Sequence, residues 1–399
     1  MAVNDFTPQD AYTLINAVAK QATGRENLTA TDTSSFVSVG ETLLRTGVEN
    51  TLKALSTVFA YTYFSNEKYT GKLAAVEQTS GQWGAITREI TALTQDAEAS
   101  QDWNTDVNPN QLNDGNSVDM YKINKPKVLE LKFYGTKVLQ RHITRFRDQI
   151  AQAFTSEAEF MRFYEAVMIE FRNDIETDRE SGRRATMLNY MAGLSSMREE
   201  VDLTAEFNTK NDTKYTRNQL LTTYKKDFMA FAIARIKLDS EKLTERSAKY
   251  HANITGYNPI MRFTRKENQR LLMLSEFWID STTQVLPWVF DDKELTIENK
   301  ELVNWWQSAD KPSAIQITPS ILDVSTGNAK QAETEVNLPY VLGVLYDRRA
   351  MGVQYQFDYA DTTPFNSAGG YWNMYVHSRK NYWNNYTHNG ILYVMGEGA

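Results

Sequence analysis

Four histidines, His142, His251, His377 and His388, are the side chains suited to moving protons near neutral pH or to holding a metal ion. None falls in H-E-x-x-H or in another metal-ligand spacing, so each reads as a packing or surface residue. The chain has no cysteine, which removes disulfides, thiolate metal sites and cysteine nucleophiles together. No G-x-G-x-x-G, G-x-x-x-x-G-K-[ST] or G-x-S-x-G occurs, so neither a phosphate-cradling loop nor a hydrolase elbow is written here. Glu170, Asp174 and Asp178 recur every fourth residue, which stacks three carboxylates on one helical face. Stacked acids share a proton or bind a cation. A di-metal helical site also needs Glu-x-x-His on partner helices, and that motif is absent. The acids therefore read as a solvated face beside Arg172 and Arg179, with no cofactor and no metal. A carboxylate-based hydrolase is the alternative of a different class, and it needs a pocket that joins distant acids.

A second constellation is electrostatic. From Ala92 to Met120 the chain carries Asp96, Glu98, Asp102, Asp106, Asp114 and Asp119 with no Lys or Arg. The return from Tyr121 to Arg147 carries Lys122, Lys125, Lys127, Lys132, Lys137, Arg141, Arg145 and Arg147 against the single acid Glu130. Its aromatics, Tyr121, Phe133 and Tyr134, are too few for a base-stacking platform, and a formal net charge of −7 disfavours a chain built to grip phosphates. Opposed patches steer association and fix register. The pairing lies within one hairpin or between copies of the chain, with Asp96, Glu98, Asp102, Trp103, Asp106, Lys122, Lys125, Lys127, Arg141 and Arg145 as the contact candidates.

These charges must be carried by an excursion. Leu129, Leu131 and Phe133 alternate with Glu130 and Lys132, the pattern of a half-exposed strand. Two strands alone are marginal in water, so such an excursion has to lean on something else. One long helix follows, predicted over Ser156 to Gly193. Ser156 and Glu159 have capping-box spacing, Phe160, Tyr164, Val167, Phe171 and Ile175 form its apolar stripe, and Gly193 suits its end. Glu176 with Arg179 and Glu180 with Arg184 are expected as ion pairs on its outer face.

Pro8 opens a short helix with Ile15, Val18 and Ala19 on its apolar side. A further helix is expected from Phe36 to Ala60, broken near Gly40 or Gly47. Thr216 to Lys237 reads as a helix, Ser240 to His251 as a second, and Thr318 to Ala332 as a loose polar stretch. Strands follow in Val353 to Tyr359, in Trp372 to Val376 and in Ile391 to Met395. The whole is an α+β chain of 399 residues, 41% hydrophobic and 12% aromatic, a globular composition. No linker rich in Pro or Ser divides it. No signal-peptide pattern is expected at Met1, which an acidic helix start follows, and with no apolar run of about 18 residues no membrane partner is expected.

Four stretches of this sequence resemble a known family: TPQDAYTLINAVAKQATG with TDTSSFVSVGETLL, YKINKPKVLELKFYGTKVLQRHITRFRDQIAQAF, EFMRFYEAVMIEFRNDIETDRESGRRATMLNYMAG, and TTPFNSAGGYWNMYVHSRKNYWNNYTHNGILYVMG. They resemble major capsid proteins of small short-tailed bacteriophages, which share the Hong Kong 97-like (HK97-like) capsid fold. The resemblance implies an N-terminal arm over residues 1–65 and an extended loop over 66–137. It implies a peripheral domain with a spine helix over 138–200, an axial domain over 201–337, and peripheral return strands over 338–399. It implies a structural, non-enzymatic protein that self-assembles as hexamers and pentamers into an icosahedral head. The partners implied are a separate scaffolding protein, a portal and enclosed double-stranded DNA bound without sequence specificity. The place implied is the virion, after assembly in the host cytoplasm. An encapsulin-like nanocompartment shell of the same fold is the near alternative.

Overall fold

The computed structural model describes residues 8–24, 28–46, 72–78, 87–93, 117, 119–121, 123, 125, 127–133, 135–146, 170–284 and 300–398. In chain order its elements begin with α1 (Pro8–Thr23), α2 (Thr33–Thr46), β1 (Thr87–Ala92), β2 (Val128–Phe133), β3 (Thr136–Phe146) and α3 (Glu170–Ser196). Then come β4 (Glu200–Asp202), α4 (Leu203–Asn211), α5 (Arg217–Thr222), α6 (Lys225–Lys242), β5 (Gln269–Leu274), α7 (Ser275–Gln284) and β6 (Lys300–Val303). The C-terminal part is strands: β7 (Ile315–Ile317), β8 (Ser320–Leu322), β9 (Ala329–Gln331), β10 (Val336–Leu338), β11 (Val341–Asp347), β12 (Met351–Thr362), β13 (Tyr371–Asn384) and β14 (Gly390–Val394). The chain forms two units, each assembled from three separated segments, which is why no single linker marks a boundary in the sequence.

The first unit holds residues 1–85, 135–183 and 353–382. Ile15, Val18 and Ala19 of α1 and Phe36, Val39 and Leu43 of α2 are all buried, as the apolar spacing of both helices requires. Asp32 caps α2 by accepting from the Ser35 N–H at 2.7 Å. The expected break at Gly40 is not made: α2 runs through it, because a lone helical glycine costs only about 1 kcal/mol against a packed face. The expected break at Gly47 and the helix beyond it lie outside the described residues. A three-stranded antiparallel sheet, ordered β12-β13-β3, carries this unit's second core. Trp372, Met374 and Val376 alternate inward along β13, and Met374 and Val376 pack with Ile175 of α3, Ile143 and Ala360.

The second unit holds residues 86–134, 184–352 and 383–399. Its centre is a five-stranded sheet ordered β4-β14-β11-β5-β6, with β14–β4 and β5–β6 parallel and the other pairs antiparallel. All seven residues of β11 are buried, the signature of a central strand covered on both faces. The single helix expected over Thr216 to Lys237 is two. Thr216 and Gln219 close a capping box on α5, and Tyr224, stacked on Tyr215 at 3.9 Å, stands between α5 and α6. The second helix expected over Ser240 to His251 does not form. α6 stops at Lys242, because the Leu243 carbonyl accepts from Thr264 and Ser247 pairs with Arg262. The polar stretch at 318–332 contains the β8–β9 hairpin, turned at Asp323.

α3 is the long helix, 27 described residues and about 40 Å. The Ser156 capping box and the stripe from Phe160 to Val167 lie outside the described residues. Its end is not at Gly193. The Glu199 N–H reaches the Leu194 carbonyl at 2.9 Å and the Arg198 N–H reaches that of Ser195 at 3.0 Å, a Schellman stop with Arg198 in the left-handed position at φ 63°. Gly193 sits inside the helix, where a Cβ would fall 2.5 Å from Cζ of Tyr386. Nor do Glu176, Arg179 and Arg184 lie on an outer face; all three are buried.

Candidate assembly interface

β1 and β2 form the antiparallel stem of the charged excursion, with Thr87 opposite Phe133 and Ala92 opposite Val128. The pairing extends one step further, from the Leu93 N–H to the Lys127 carbonyl at 3.0 Å. Strand alternation places Glu89, Thr91, Leu129 and Leu131 on one face, and Arg88, Ile90, Glu130 and Lys132 on the other. Leu131 is buried, whereas on the outer face Ile90 is 69% and Val128 56% exposed. Met120, Tyr121 and Ile123, on the return toward β2, are each 80% exposed or more. These are large apolar side chains left in the open.

The inner face of the stem is fastened by Glu89. Its Oε1 accepts from Nη2 of Arg262 at 3.0 Å and from Nε2 of His388 at 2.8 Å, and its Oε2 accepts from the Asn385 amide. The same Arg262 nitrogen donates to Oγ1 of Thr91 at 3.0 Å, and its Nε donates to the Thr387 carbonyl at 3.1 Å. Asn385 itself accepts from the backbone and hydroxyl of Thr387, which fixes the turn that offers these donors. Burial pushes the Glu89 carboxyl up, but His388 and Arg262 outweigh it and hold the group below the usual glutamate range. Behind the turn, Asn389 bonds His251 at 2.9 Å and Thr264 at 3.2 Å, and Thr264 donates to Asp347 at 2.8 Å. His251 and His388 are thus packed, hydrogen-bonded residues.

The structure places the predicted contact residues unevenly. Lys125 and Lys127 are exposed beside the stem. Arg141 of β3 is committed within its own chain: Nε meets Oδ2 of Asp178 at 2.5 Å and Nη1 meets Oδ2 of Asp174 at 2.9 Å. That bond holds the Asp178 carboxyl below its usual range. Two of the three stacked helix acids are therefore paired with Arg141 rather than simply solvated. Arg145 lies on β3 opposite Trp372. Asp96, Glu98, Asp102, Trp103, Asp106 and Lys122 lie outside the described residues. No group of three or more His, Asp or Glu able to hold a metal occurs among the described residues. The fastening at Glu89 was missed from the sequence. Its one local signal is a carboxylate at an inward position of an alternating strand, which needs a partner.

Residues 15–394 match the family described as Phi29-like phage major capsid protein. The chain belongs to that family. Among solved structures, one similar chain comes from the capsid structure of Staphylococcus phage Andhra, at 10% identity and a TM-score of 0.54, covering 83% of this chain and 86% of that one. Another comes from the structure of the head fiber and inner core protein gp22 of native bacteriophage P68, at 10% identity and a TM-score of 0.50, covering 83% and 88%. No curated protein matches the chain. The fold is the α+β, HK97-like capsid fold expected above. The chain is a structural, shell-forming capsid protein of a phage virion.

Proposed function

We propose that the β1–β2 hairpin is the arm through which one subunit grips the next, and that the shell is an icosahedral head built from hexamers and pentamers. The observation that carries this reading is the open outer face of the stem, where Ile90 and Val128 are exposed, together with the exposure of Met120, Tyr121 and Ile123 on the return toward β2. A monomer gains nothing from exposing this much apolar surface, whereas a neighbouring copy buries it. Residues 66–137 are then the extended loop, 1–65 the N-terminal arm, 138–200 and 338–399 the peripheral domain, and 201–337 the axial domain. Lys122, Lys125, Lys127 and Arg145 contribute contacts from the basic return arm, with the acidic residues Asp96, Glu98, Asp102 and Asp106 as their counterparts, within one hairpin or on the next copy. The protein performs no catalysis. It assembles in the host cytoplasm with a separate scaffolding protein and a portal. It encloses double-stranded DNA without reading its sequence, which its net negative charge suits.

Replacing residues 94–119 by a short Gly-Ser turn tests the arm directly. Negative-stain electron microscopy of the purified chain should then show folded protein and no closed shells. Shells of normal size from that variant would refute the role of the hairpin.

A further inference from the structure

We propose that Glu89 is the positioning residue of the arm: a carboxylate that locks the root of the hairpin onto the 385–388 turn and so sets the direction in which the arm is offered to the next subunit. This rests on the reading of the hairpin as an intersubunit arm. Apolar contact through Leu129 and Leu131 is non-directional and lets a two-stranded stem rock on its support. Glu89 removes that freedom, because its two oxygens take donors from two separate places, Arg262 ahead of β5 and the Asn385–His388 turn between β13 and β14. Arg262 adds a second point of attachment one inward position along the strand, at Thr91, while its Nε is tied to Thr387 in the same turn. Two successive inward positions of β1 are thus referenced to one buried turn, which fixes tilt as well as position.

The geometry gives this leverage. From Glu89 to the end of the pairing at Leu93 the stem runs about 14 Å, so a tilt of about 10° at Glu89 displaces that end by about 2–3 Å. Productive contacts need about 0.5 Å and 10–20°. A root that rocks by that amount presents Ile90, Val128 and the exposed lysines out of register with any partner, although the chain is folded.

The test uses the full chain before assembly. In Glu89→Ala and Glu89→Gln, hydrogen exchange at the amides of 87–92 and 128–133 should quicken at least about tenfold more than at the amides of β11, whose own quickening reports the global stability lost when Arg262 and His388 lose their partner. Closed shells counted by electron microscopy should fall by about tenfold or more, with open or misshapen particles in their place. Thr91→Val removes one of the two Arg262 attachments without stranding a charge. It should move both readouts the same way by less, and it carries the test if the Glu89 variants fail to fold. Hairpin exchange that quickens no more than that of β11 in the folded variants overturns the proposal. Faster exchange with normal shells also overturns it. In that case the truncation of 94–119 separates the two failures: if the truncated chain makes no shells, only the role of Glu89 falls, and if it does, the arm itself was misread.

Discussion

Gly193→Ala sets helix propensity against packing, and the structure says which wins. Inside α3 alanine is favoured over glycine by about 1 kcal/mol. The added Cβ, however, would lie 2.5 Å from Cζ of Tyr386 and closer still to its hydroxyl oxygen. Tyr386 cannot step aside freely. Its ring stacks on Tyr190 at 5.5 Å, and its hydroxyl lies 3.0 Å from the Asn189 carbonyl and 2.9 Å from that of Ser320. Overpacking of this kind costs about 1–3 kcal/mol, and a displaced hydroxyl forfeits about 1 kcal/mol more. After the propensity gain the net loss is about 2 kcal/mol, read as a lower urea midpoint at unchanged m-value for the unassembled chain. The cycle with Tyr386→Ala isolates the cause. That substitution alone costs about 3–5 kcal/mol, and in its background Gly193→Ala should turn stabilising by up to about 1 kcal/mol, a coupling of about 3 kcal/mol. Gly193→Ala that stabilises the parent, or that costs the same with and without the Tyr386 ring, would refute the close-approach argument.

Burial pushes the Glu199 carboxyl up to about 7, so between about pH 4.5 and 7 the folded chain holds a proton that the unfolded chain has lost, and stability falls as pH rises through that window. Glu199→Gln should therefore gain about 1–3 kcal/mol in urea melts at pH 8 and nothing at pH 4; an equal effect at both would show that proton linkage is not the cause. Arg141→Ala should cost about 1 kcal/mol of stability and release Asp178 toward its ordinary pKa, with shell yield unchanged because the pairing lies within one chain. A loss of shells at unaltered stability would instead return Arg141 to the interface.

What the sequence made legible is whatever repeats locally. The alternation of Trp372, Met374 and Val376 predicts an inward face on β13, and that of Leu129 and Leu131 predicts one on β2; both faces are there. The existence of a long helix through Ile175 was equally readable. Its end was not, because glycine satisfies two requirements that look alike in sequence, a left-handed cap and a close approach. The cap fell to Arg198 and the approach to Gly193. The helix expected over 240–251 failed for a related reason. Its backbone partners come from 262–264, and no local propensity announces a distant strand-like competitor. The root of the arm joins Glu89 to residues 262, 385 and 388, separations that carry no periodic signal. The family resemblance supplied the fold and the shell, but nothing in it pointed to that carboxylate.

The middle of α3 shows why a helix can be certain and its environment opaque. Past Ile175 the buried positions are Glu176, Arg179, Arg183 and Arg184, a pattern that reads as solvent-facing and is not. Each arginine is met by a different stretch of chain. Arg183 bridges Glu176 at 3.0 Å and Glu77 at 2.9 Å, Arg179 lies 4.7 Å over the Tyr355 ring of β12, and Arg184 lies 3.4 Å over Trp305 and donates to the Trp306 carbonyl at 3.0 Å. Buried charges tolerate no vacancy, since removing one partner leaves the other unpaired at about 3–5 kcal/mol. They therefore fix which segments meet the helix far more strictly than an apolar stripe, which accepts any surface of suitable shape. Two turns later the logic reverses: Met191, Ala192, Gly193 and Leu194 are buried without charge, and at Gly193 the match to Tyr386 is one of shape. Along a single rod, specificity passes from electrostatic pairing to steric fit, and neither half of that device has a period that a sequence reading could detect.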